Sequence, residues 1–115
     1  MAAPAVSVLL PFRNAATTLA ACLDSVRRQT LTDFELVCVD DGSNDTGAEL
    51  ITSIAREDRR VRLLRSPGRG IVAALNFGLR QVRAPLVARM DADDLMHPRR
   101  LELQCRAMTA DVGLT

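Results

Sequence analysis

Three acids follow one apolar run late in the chain, at Asp91, Asp93 and Asp94. Only Ala92 separates Asp91 from Asp93, so two carboxylates at the mouth of a strand could face a common cation. Mg²⁺ and Mn²⁺ prefer oxygen ligands of this kind and bridge readily to phosphate oxygens. Repulsion among the three acids also favours a cation or an arginine nearby. The alternative is a solvated turn in which Asp94 caps the next helix.

A second acidic loop, Asp40-Asp41-Gly42-Ser43, follows an earlier apolar run. One carboxylate could accept a hydrogen bond from a nucleobase N–H while the other stabilises the turn. The same pattern is also typical of an Asx turn that leads into a helix cap. Arg13 and Arg69 lie in similar loops, where a guanidinium could stack on a base or pair with a diphosphate. Ordinary surface arginines would fit these two positions equally well.

The elements that must position these loops are short apolar runs, which alternate four times with helical periodicity. We predict strands over Val6–Leu10, Phe34–Val39, Val61–Leu64 and Leu86–Met90. We predict helices that begin near Thr17, Thr46, Ile71 and Pro98. Asn14 or Thr17 is expected to cap the first helix, because either side chain can accept a bond from a helix N–H. The inward-facing residues of the third helix are predicted to be Ile71, Ala74, Leu75, Gly78, Leu79 and Val82.

Short apolar strands joined by helices predict an α/β fold, with a Rossmann-like, mostly parallel sheet of about four strands and helices on both faces. In such a sheet, ligands bind at the carboxyl ends of the strands, near the point where strand order reverses. The expected ends are Pro11 to Asn14, Asp40 to Asp45, Ser66 to Gly70 and Asp91 to Asp94. We therefore expect these loops to converge on one edge that suits a polyanionic ligand and a divalent metal.

The composition of the 115 residues fits one globular domain or part of one, with 48% hydrophobic residues and a net charge of +1. All 15 basic residues are arginines. The near-neutral charge argues against a general grip on nucleic acid or an acidic membrane. Cys22, Cys38 and Cys105 lack metal-binding spacing and are expected to be small buried hydrophobes. No apolar run reaches the ~18 residues that cross a bilayer, and we expect a cytoplasmic protein.

Four motifs occur in a characteristic order over nearly the whole chain. They are Val6-Ser7-Val8-Leu9-Leu10-Pro11-Phe12-Arg13-Asn14, Val39-Asp40-Asp41-Gly42-Ser43-Asn44-Asp45, Arg69-Gly70-Ile71 with Ala74-Leu75-Asn76-Phe77-Gly78-Leu79, and Met90-Asp91-Ala92-Asp93-Asp94. In this order they resemble the nucleotide-binding half of the family 2 glycosyltransferases, which are inverting enzymes of the GT-A fold. Four motifs in sequence are far more specific than any one of them.

The resemblance implies that Pro11 and Arg13 line the nucleoside site and that Asp41 binds the base. Relatives often have Tyr at position 13, and the guanidinium of Arg13 can also stack on a base. The nucleotide of the family is usually UDP, although some members use GDP- or dTDP-sugars.

The resemblance also implies roles on the phosphate side of the site. Arg69 and Gly70 would lie near the ribose or the diphosphate, and Asp91 near the ribose or the sugar. In the Asp91-Ala92-Asp93 motif, Asp93 would coordinate the Mn²⁺ or Mg²⁺ that bridges the diphosphate, with Asp91 as the second candidate ligand.

The implied reaction is a single displacement of the nucleoside diphosphate by a hydroxyl of a saccharide or lipid-linked acceptor. Relatives continue for roughly another hundred residues, about the size of a further domain, and the catalytic base is expected beyond residue 115. We interpret residues 1–115 as the truncated, donor-binding part of a GT-A domain, with little or no activity alone. We expect it to self-associate through an exposed sheet edge, and the longer protein to lie at the inner membrane face.

Other functional classes remain as alternatives. The segment Gly68 to Ala73 fits the GxGxxA pattern of dinucleotide-binding modules, although that pattern usually lies in the first βα unit rather than the third. A non-catalytic interaction domain is the other alternative. Receiver domains and haloacid-dehalogenase-like phosphatases need a lysine, which this chain lacks.

Overall fold

The computed structural model describes residues 3–68 and 70–114, with the side chains of residues up to 108. Four strands alternate with four helices, as the periodicity predicts. The strands are β1 (Val6–Phe12), β2 (Phe34–Asp40), β3 (Val61–Arg65) and β4 (Leu86–Arg89), and the helices are α1 (Ala16–Arg27), α2 (Gly47–Glu57), α3 (Ile71–Leu79) and α4 (Arg100–Leu114). Within the described part, no helix is both long and apolar enough to cross a membrane.

The strands form one parallel sheet in the order β3-β2-β1-β4. The chain runs outward from β1 to β3 and then crosses back to place β4 on the other side of β1. Strand order therefore reverses between β1 and β4, which is where ligands bind in open α/β sheets. The predicted α/β fold with a four-stranded parallel sheet is confirmed.

Both faces of the sheet are covered, which explains why the strands are almost unbroken apolar runs. Val8 and Leu10 of β1 belong to the larger core, which they share with Leu23 of α1 and residues of α2 and α4. Leu9, between them, faces the smaller core under α3, where it packs near Ala74. Successive residues of one strand thus serve opposite faces, as the two-residue repeat of a strand requires.

Pro11 lies inside β1 rather than after it, and it marks where β1 and β4 separate. The Leu9 carbonyl accepts a hydrogen bond from the Met90 N–H at 3.0 Å, so Leu9 and Pro11 direct their backbone groups toward β4. Pairing with β4 ends at Leu9↔Arg89, whereas pairing with β2 continues to Phe12↔Asp40. The missing N–H of proline therefore costs no ladder bond. Beyond Pro11, a crevice can open between the two strands.

Some predicted element boundaries and faces are wrong. Helix α4 begins at Arg100, two residues after Pro98, because the intervening residues form a turn in which the Arg100 N–H bonds to the His97 carbonyl. Ile71 and Leu79 of α3 are half exposed instead of facing inward. Only small residues of α3 are fully buried, because this helix packs very close to the sheet: a Cβ on Gly78 would lie 2.4 Å from Leu9 Cδ1.

Strand β4 is an edge strand, and no strand among the described residues pairs with its outer side. A groove runs along this edge between β4 and α4, and its lining includes Leu86, Val87 and Met108. Val87 is 43% exposed. The sheet thus presents unpaired backbone groups beside apolar side chains, which is the arrangement that favours pairing with another strand.

A buried polar cluster fixes the segment that enters β4. Glu35 accepts hydrogen bonds from the Ser7 hydroxyl at 2.5 Å and the Arg83 N–H at 2.7 Å, and it pairs with Arg62 at 3.0 Å. The Ala84 N–H donates to the Ser7 hydroxyl oxygen at 3.1 Å. Burial by itself would raise the pKa of Glu35, but these bonds and the arginine charges lower it below its usual 4.5.

A second ionic cluster ties the loops at the amino ends of β2 and β3. Arg60 holds Asp58 through both guanidinium and backbone, with N–O distances of 2.9–3.0 Å, and Arg27 Nε adds a contact of 3.2 Å. The Arg60 guanidinium also lies 4.2 Å from the centre of the Phe34 ring. The side-chain hydrogen bond from Arg60 is the main cause that lowers the pKa of Asp58 from 3.8 to about 2.

Candidate functional site

The loops after β1 and β2 interlock through Asn14, which is the one described non-glycine residue with a positive φ, 50°. Its N–H donates to the Ser43 hydroxyl oxygen at 3.0 Å, and its Oδ1 accepts from the Asn44 N–H at 2.7 Å. Asparagine is among the few residues that enter this region at low cost. The Ala16 N–H at the start of α1 donates to Asp45 Oδ2 at 3.0 Å.

These contacts correct the predicted cap of α1. Neither Asn14 nor Thr17 caps the helix through its side chain, and the N-cap residue is Ala15. The acceptor at this helix start is supplied by Asp45, from a loop that follows another strand. Asp45 also accepts a hydrogen bond from the Gly47 N–H at 3.0 Å, so a single carboxylate joins the starts of α1 and α2.

The carboxylates of Asp40 and Asp41, in the loop after β2, have different hydrogen-bond partners. Both residues are 4% exposed. Asp40 Oδ1 accepts the Ser43 N–H at 2.8 Å, which closes the predicted Asx-type turn. Asp41 makes no such turn; its Oδ1 accepts a hydrogen bond from the Ser66 hydroxyl, at the end of β3, at 3.0 Å. One acid thus stabilises the turn, and the other is left for a different partner.

Glycines let the loops after β2 and β3 approach each other closely. Gly42 and Gly68 have φ values of 85° and 76°, and a Cβ added to Gly42 would lie 3.6 Å from the Gly68 Cα. Gly70, with φ 103°, is the N-cap of α3, and its carbonyl accepts the Ala74 N–H. Arg69, predicted to contact the ribose or diphosphate, lies outside the described residues.

The acidic loop after β4 is anchored by its backbone and keeps its carboxylates exposed. The Ala92 carbonyl accepts the Thr18 hydroxyl at 3.0 Å, and the Asp91 carbonyl accepts the Cys22 thiol at 3.4 Å. Burial, together with the charges of the nearby acids, raises the pKa of Cys22 to about 11. The Asp93 side chain is exposed. The arginine expected near these acids is Arg89, which lies 3.4 Å from Asp91 Oδ1.

This set of donors fits a metal that is shared with a phosphate ligand. No three His, Cys, Asp or Glu side chains within residues 3–68 and 70–108 are grouped closely enough to hold a metal ion. Mg²⁺ commonly takes one or two carboxylates and completes its shell with substrate phosphates and water. Asp91 and Asp93, both exposed at the strand end, suit that kind of site rather than a cage made by the protein alone.

His97 and Asp94, close to the acidic loop, make contacts that stabilise local turns. His97 Nδ1 accepts the Arg99 N–H at 3.1 Å, in the turn before α4. Its carbonyl accepts the Gln29 amide at 2.7 Å. The Asp94 N–H closes a turn on the Asp91 carbonyl at 3.1 Å. These contacts place both residues in the turns that lead from β4 to α4.

The strand-end loops that the structure describes therefore belong to one edge of the sheet. Pro11 and Arg13 follow the separation of β1 from β4, with Pro11 buried and Arg13 exposed. Asp41 lies on the β2 side of β1, and Asp91 to Asp93 lie on the β4 side. Sequence reasoning missed Ser66 as a partner of Asp41, and the signal available for it was its position directly after β3.

Residues 7–114 match the family model described as "Glycosyl transferase family 2". This chain belongs to glycosyltransferase family 2. The match covers β1 from Ser7 onward and every strand-end loop that carries a candidate residue. Membership in the family accounts for the order of the four motifs along the chain.

Comparisons with known proteins agree in sequence and in structure. EpsH of Bacillus subtilis is 33% identical over 114 residues, which cover 99% of this chain and 33% of EpsH. The mannosyltransferase PcManGT from Pyrobaculum calidifontis superimposes with a TM-score of 0.77 at 30% identity, covering 89% of this chain and 31% of that one. A structure of S. aureus TarS gives 0.79 at 26% identity, covering 88% and 31%.

The family 2 chain thus spans about a third of the length of each of these relatives. Its sheet corresponds to the N-terminal portion of the GT-A fold. PcManGT was solved with GDP-Man and Mn²⁺, and TarS with UDP and with UDP-GlcNAc.

Proposed function

We propose that residues 1–115 form the donor-binding part of an inverting glycosyltransferase that uses a UDP-sugar and Mn²⁺ or Mg²⁺. One observation carries the proposal: in a family 2 chain, the acidic and glycine-rich loops lie at the strand ends, where strand order reverses between β1 and β4. That crevice is the ligand position of open α/β sheets. The nucleotide complexes of PcManGT and TarS support the same class of ligand.

In the proposed contacts with the nucleobase, Asp41 accepts a hydrogen bond from the uracil N–H, and Arg13 stacks on the ring beside Pro11. A buried carboxylate is a strong acceptor because few waters compete for it. Arg13 is exposed at the mouth of the crevice, where a planar guanidinium can lie on an aromatic face.

In the proposed contacts with the rest of the donor, Arg69 and Gly70 contact the ribose or diphosphate, and Asp91 contacts the ribose or sugar. Asp93 would hold the cation together with the diphosphate. The backbone bonds from Thr18 to Ala92 and from Cys22 to Asp91 support this role, because they hold the loop while leaving its side chains available.

The proposed reaction is one displacement at the anomeric carbon. A hydroxyl of a saccharide or lipid-linked acceptor forms the new C–O bond as the bond to the diphosphate breaks, which inverts the configuration. The hydroxyl proton passes to a carboxylate base outside residues 1–115. The cation, when bound, neutralises the charge that develops on the departing diphosphate. A cytoplasmic location, at the inner membrane face for lipid-linked acceptors, completes the proposal.

Calorimetric titration of the 115-residue chain with UDP, with and without Mn²⁺, tests the proposal. We expect Mn²⁺ alone to bind weakly, since the described residues form no protein cage. It should strengthen UDP binding about tenfold, because Asp93 would hold the ion beside the diphosphate charge. Asp93→Asn should remove that gain, whereas Asp94→Asn, which makes the same charge change one residue later, should keep it. Binding of NAD without binding of UDP would instead support a dinucleotide-binding module.

A further inference from the structure

The Ser66 hydroxyl is the partner of the buried Asp41 carboxylate. Its Oγ lies 3.0 Å from Asp41 Oδ1 and 3.5 Å from the Asp40 carbonyl, so its single proton goes to the nearer carboxylate. The backbone holds Ser66 in place, since its N–H donates to the Asp40 carbonyl at 3.0 Å. The pair Ser66–Asp41 thus has a fixed geometry at the end of β3.

The two oxygens of Asp41 have different surroundings. Oδ1 accepts the Ser66 hydroxyl. For Oδ2, no donor is found in the described part of the chain, and Oδ2 is not among the side-chain atoms there that are both buried and unpartnered. An ionised carboxylate needs several donors when it leaves water. Oδ2 is therefore the oxygen that a ligand donor can reach.

Nucleobases differ in how many donors they offer to a carboxylate. Uracil and thymine present one ring N–H between two carbonyl groups, whereas guanine presents a ring N–H and an amino group side by side. Guanine thus matches a carboxylate with both oxygens available, and uracil matches one with a single available oxygen. A cytosine ring nitrogen is an acceptor at this position and would face the carboxylate without a proton between them.

We propose that Ser66 is a specificity-determining residue. By donating to Asp41 Oδ1 it leaves one carboxylate oxygen for the base, so the site prefers a pyrimidine with one ring N–H over guanine. This inference rests on the proposed function, and it deepens it by assigning the choice of base to a residue outside the four motifs. Ser66 acts through Asp41 and is a positioning residue.

The test measures UDP and GDP affinities, in the presence of Mn²⁺, for the unchanged chain and for Ser66→Ala, Ser66→Cys and Ser66→Thr. The unchanged chain should prefer UDP. Ser66→Ala should lower the ratio of UDP affinity to GDP affinity about tenfold, which is the effect of one hydrogen bond to a charged group. Ser66→Thr should keep the native ratio, because it keeps the hydroxyl. Ser66→Cys has a weaker donor of similar size, so its ratio should lie between those of the native chain and Ser66→Ala. It replaces Ser66→Ala in the test if the alanine variant does not fold.

Failure of the inference is distinct from failure of the proposed function. Equal losses of UDP and GDP binding in Ser66→Ala, with the ratio unchanged, would mean that Ser66 only supports the loop. A preference of the unchanged chain for GDP would overturn the inference and leave a donor site in place. If neither nucleotide binds the unchanged chain, both the inference and the proposed function fail.

Discussion

The cluster around Asp58 allows a stability prediction with a worked magnitude. Its carboxylate is 11% exposed and pairs with two arginines that are 29% and 30% exposed. Hydrogen bonds from Arg60 lower its pKa from 3.8 to about 2, and a change of that size corresponds to about 2 kcal/mol. Because the arginines are partly solvated, solvent screening reduces this to about 1–2 kcal/mol of folding free energy at pH 7.

The sign follows from the direction of the pKa change. The lowered folded-state pKa means that the stabilisation is complete above 3.8 and is lost as the pH falls through about 2. We expect Asp58→Asn to lower the free energy of unfolding by about 1–2 kcal/mol at pH 7 and by roughly half as much at pH 3. Urea denaturation followed by circular dichroism at both pH values measures the difference.

Asp24→Asn is the matched control for the Asp58 variant. Asp24 pairs with Arg28 on the surface, where the two side chains are 51% and 77% exposed. Its loss should cost less than about 0.5 kcal/mol at either pH. The reasoning is refuted if Asp58→Asn costs the same at pH 7 and pH 3, or no more than Asp24→Asn.

Three further predictions concern other parts of the molecule. Glu35→Ala should lower the free energy of unfolding by about 3 kcal/mol in urea, because it leaves a partly buried arginine without its partner. The chain should self-associate in sedimentation velocity at high concentration through the β4 edge; Val87→Lys should suppress this, and Val72→Lys, which alters an exposed valine on α3, should not. In the native chain a thiol reagent should modify Cys105 first, since the other two cysteines are buried.

Each of these has a clear contrary result. A loss below about 1 kcal/mol for the Glu35 variant would show that solvent already screens this cluster. A monomer at all concentrations would count against the edge contact. Rapid modification of all three thiols in the folded chain would contradict the burial of Cys22 and Cys38, which raises the pKa of both thiols.

The sheet, and the edge of it that carries the candidate residues, were predictable because they depend on local patterns. The central strands β1 and β2 are runs buried along their whole length, and the loops after parallel strands must fall on one edge of the sheet. The separate roles expected for the two acids of the second loop could be stated in advance for the same reason: the turn is closed locally, by a bond from the Ser43 N–H to Asp40 three residues earlier.

Features that depend on contacts between distant segments could not be predicted. The helix-start acceptor for α1 is Asp45, 29 residues from the Ala16 N–H that it binds. The Ser66–Asp41 bond spans 25 residues. Ile71 is exposed because the sheet covers only a narrow face of α3, around Ala74 and Gly78. Periodicity shows which residues share a helix face, but it does not show how much of that face is buried. The strand order itself is set by packing.

The position of β4 also determines the order in which the two halves of the crevice form. Val6 pairs with Phe34 on one side and with Leu86 on the other, so the second pairing closes a much longer loop and is entropically costlier. The three strands that carry Asp41 and Ser66 can assemble as soon as β3 has been synthesised. The acids after β4 join later, held by the shortest strand. We therefore expect the half of the crevice beside Asp41 to form earlier in folding than the half beside Asp91.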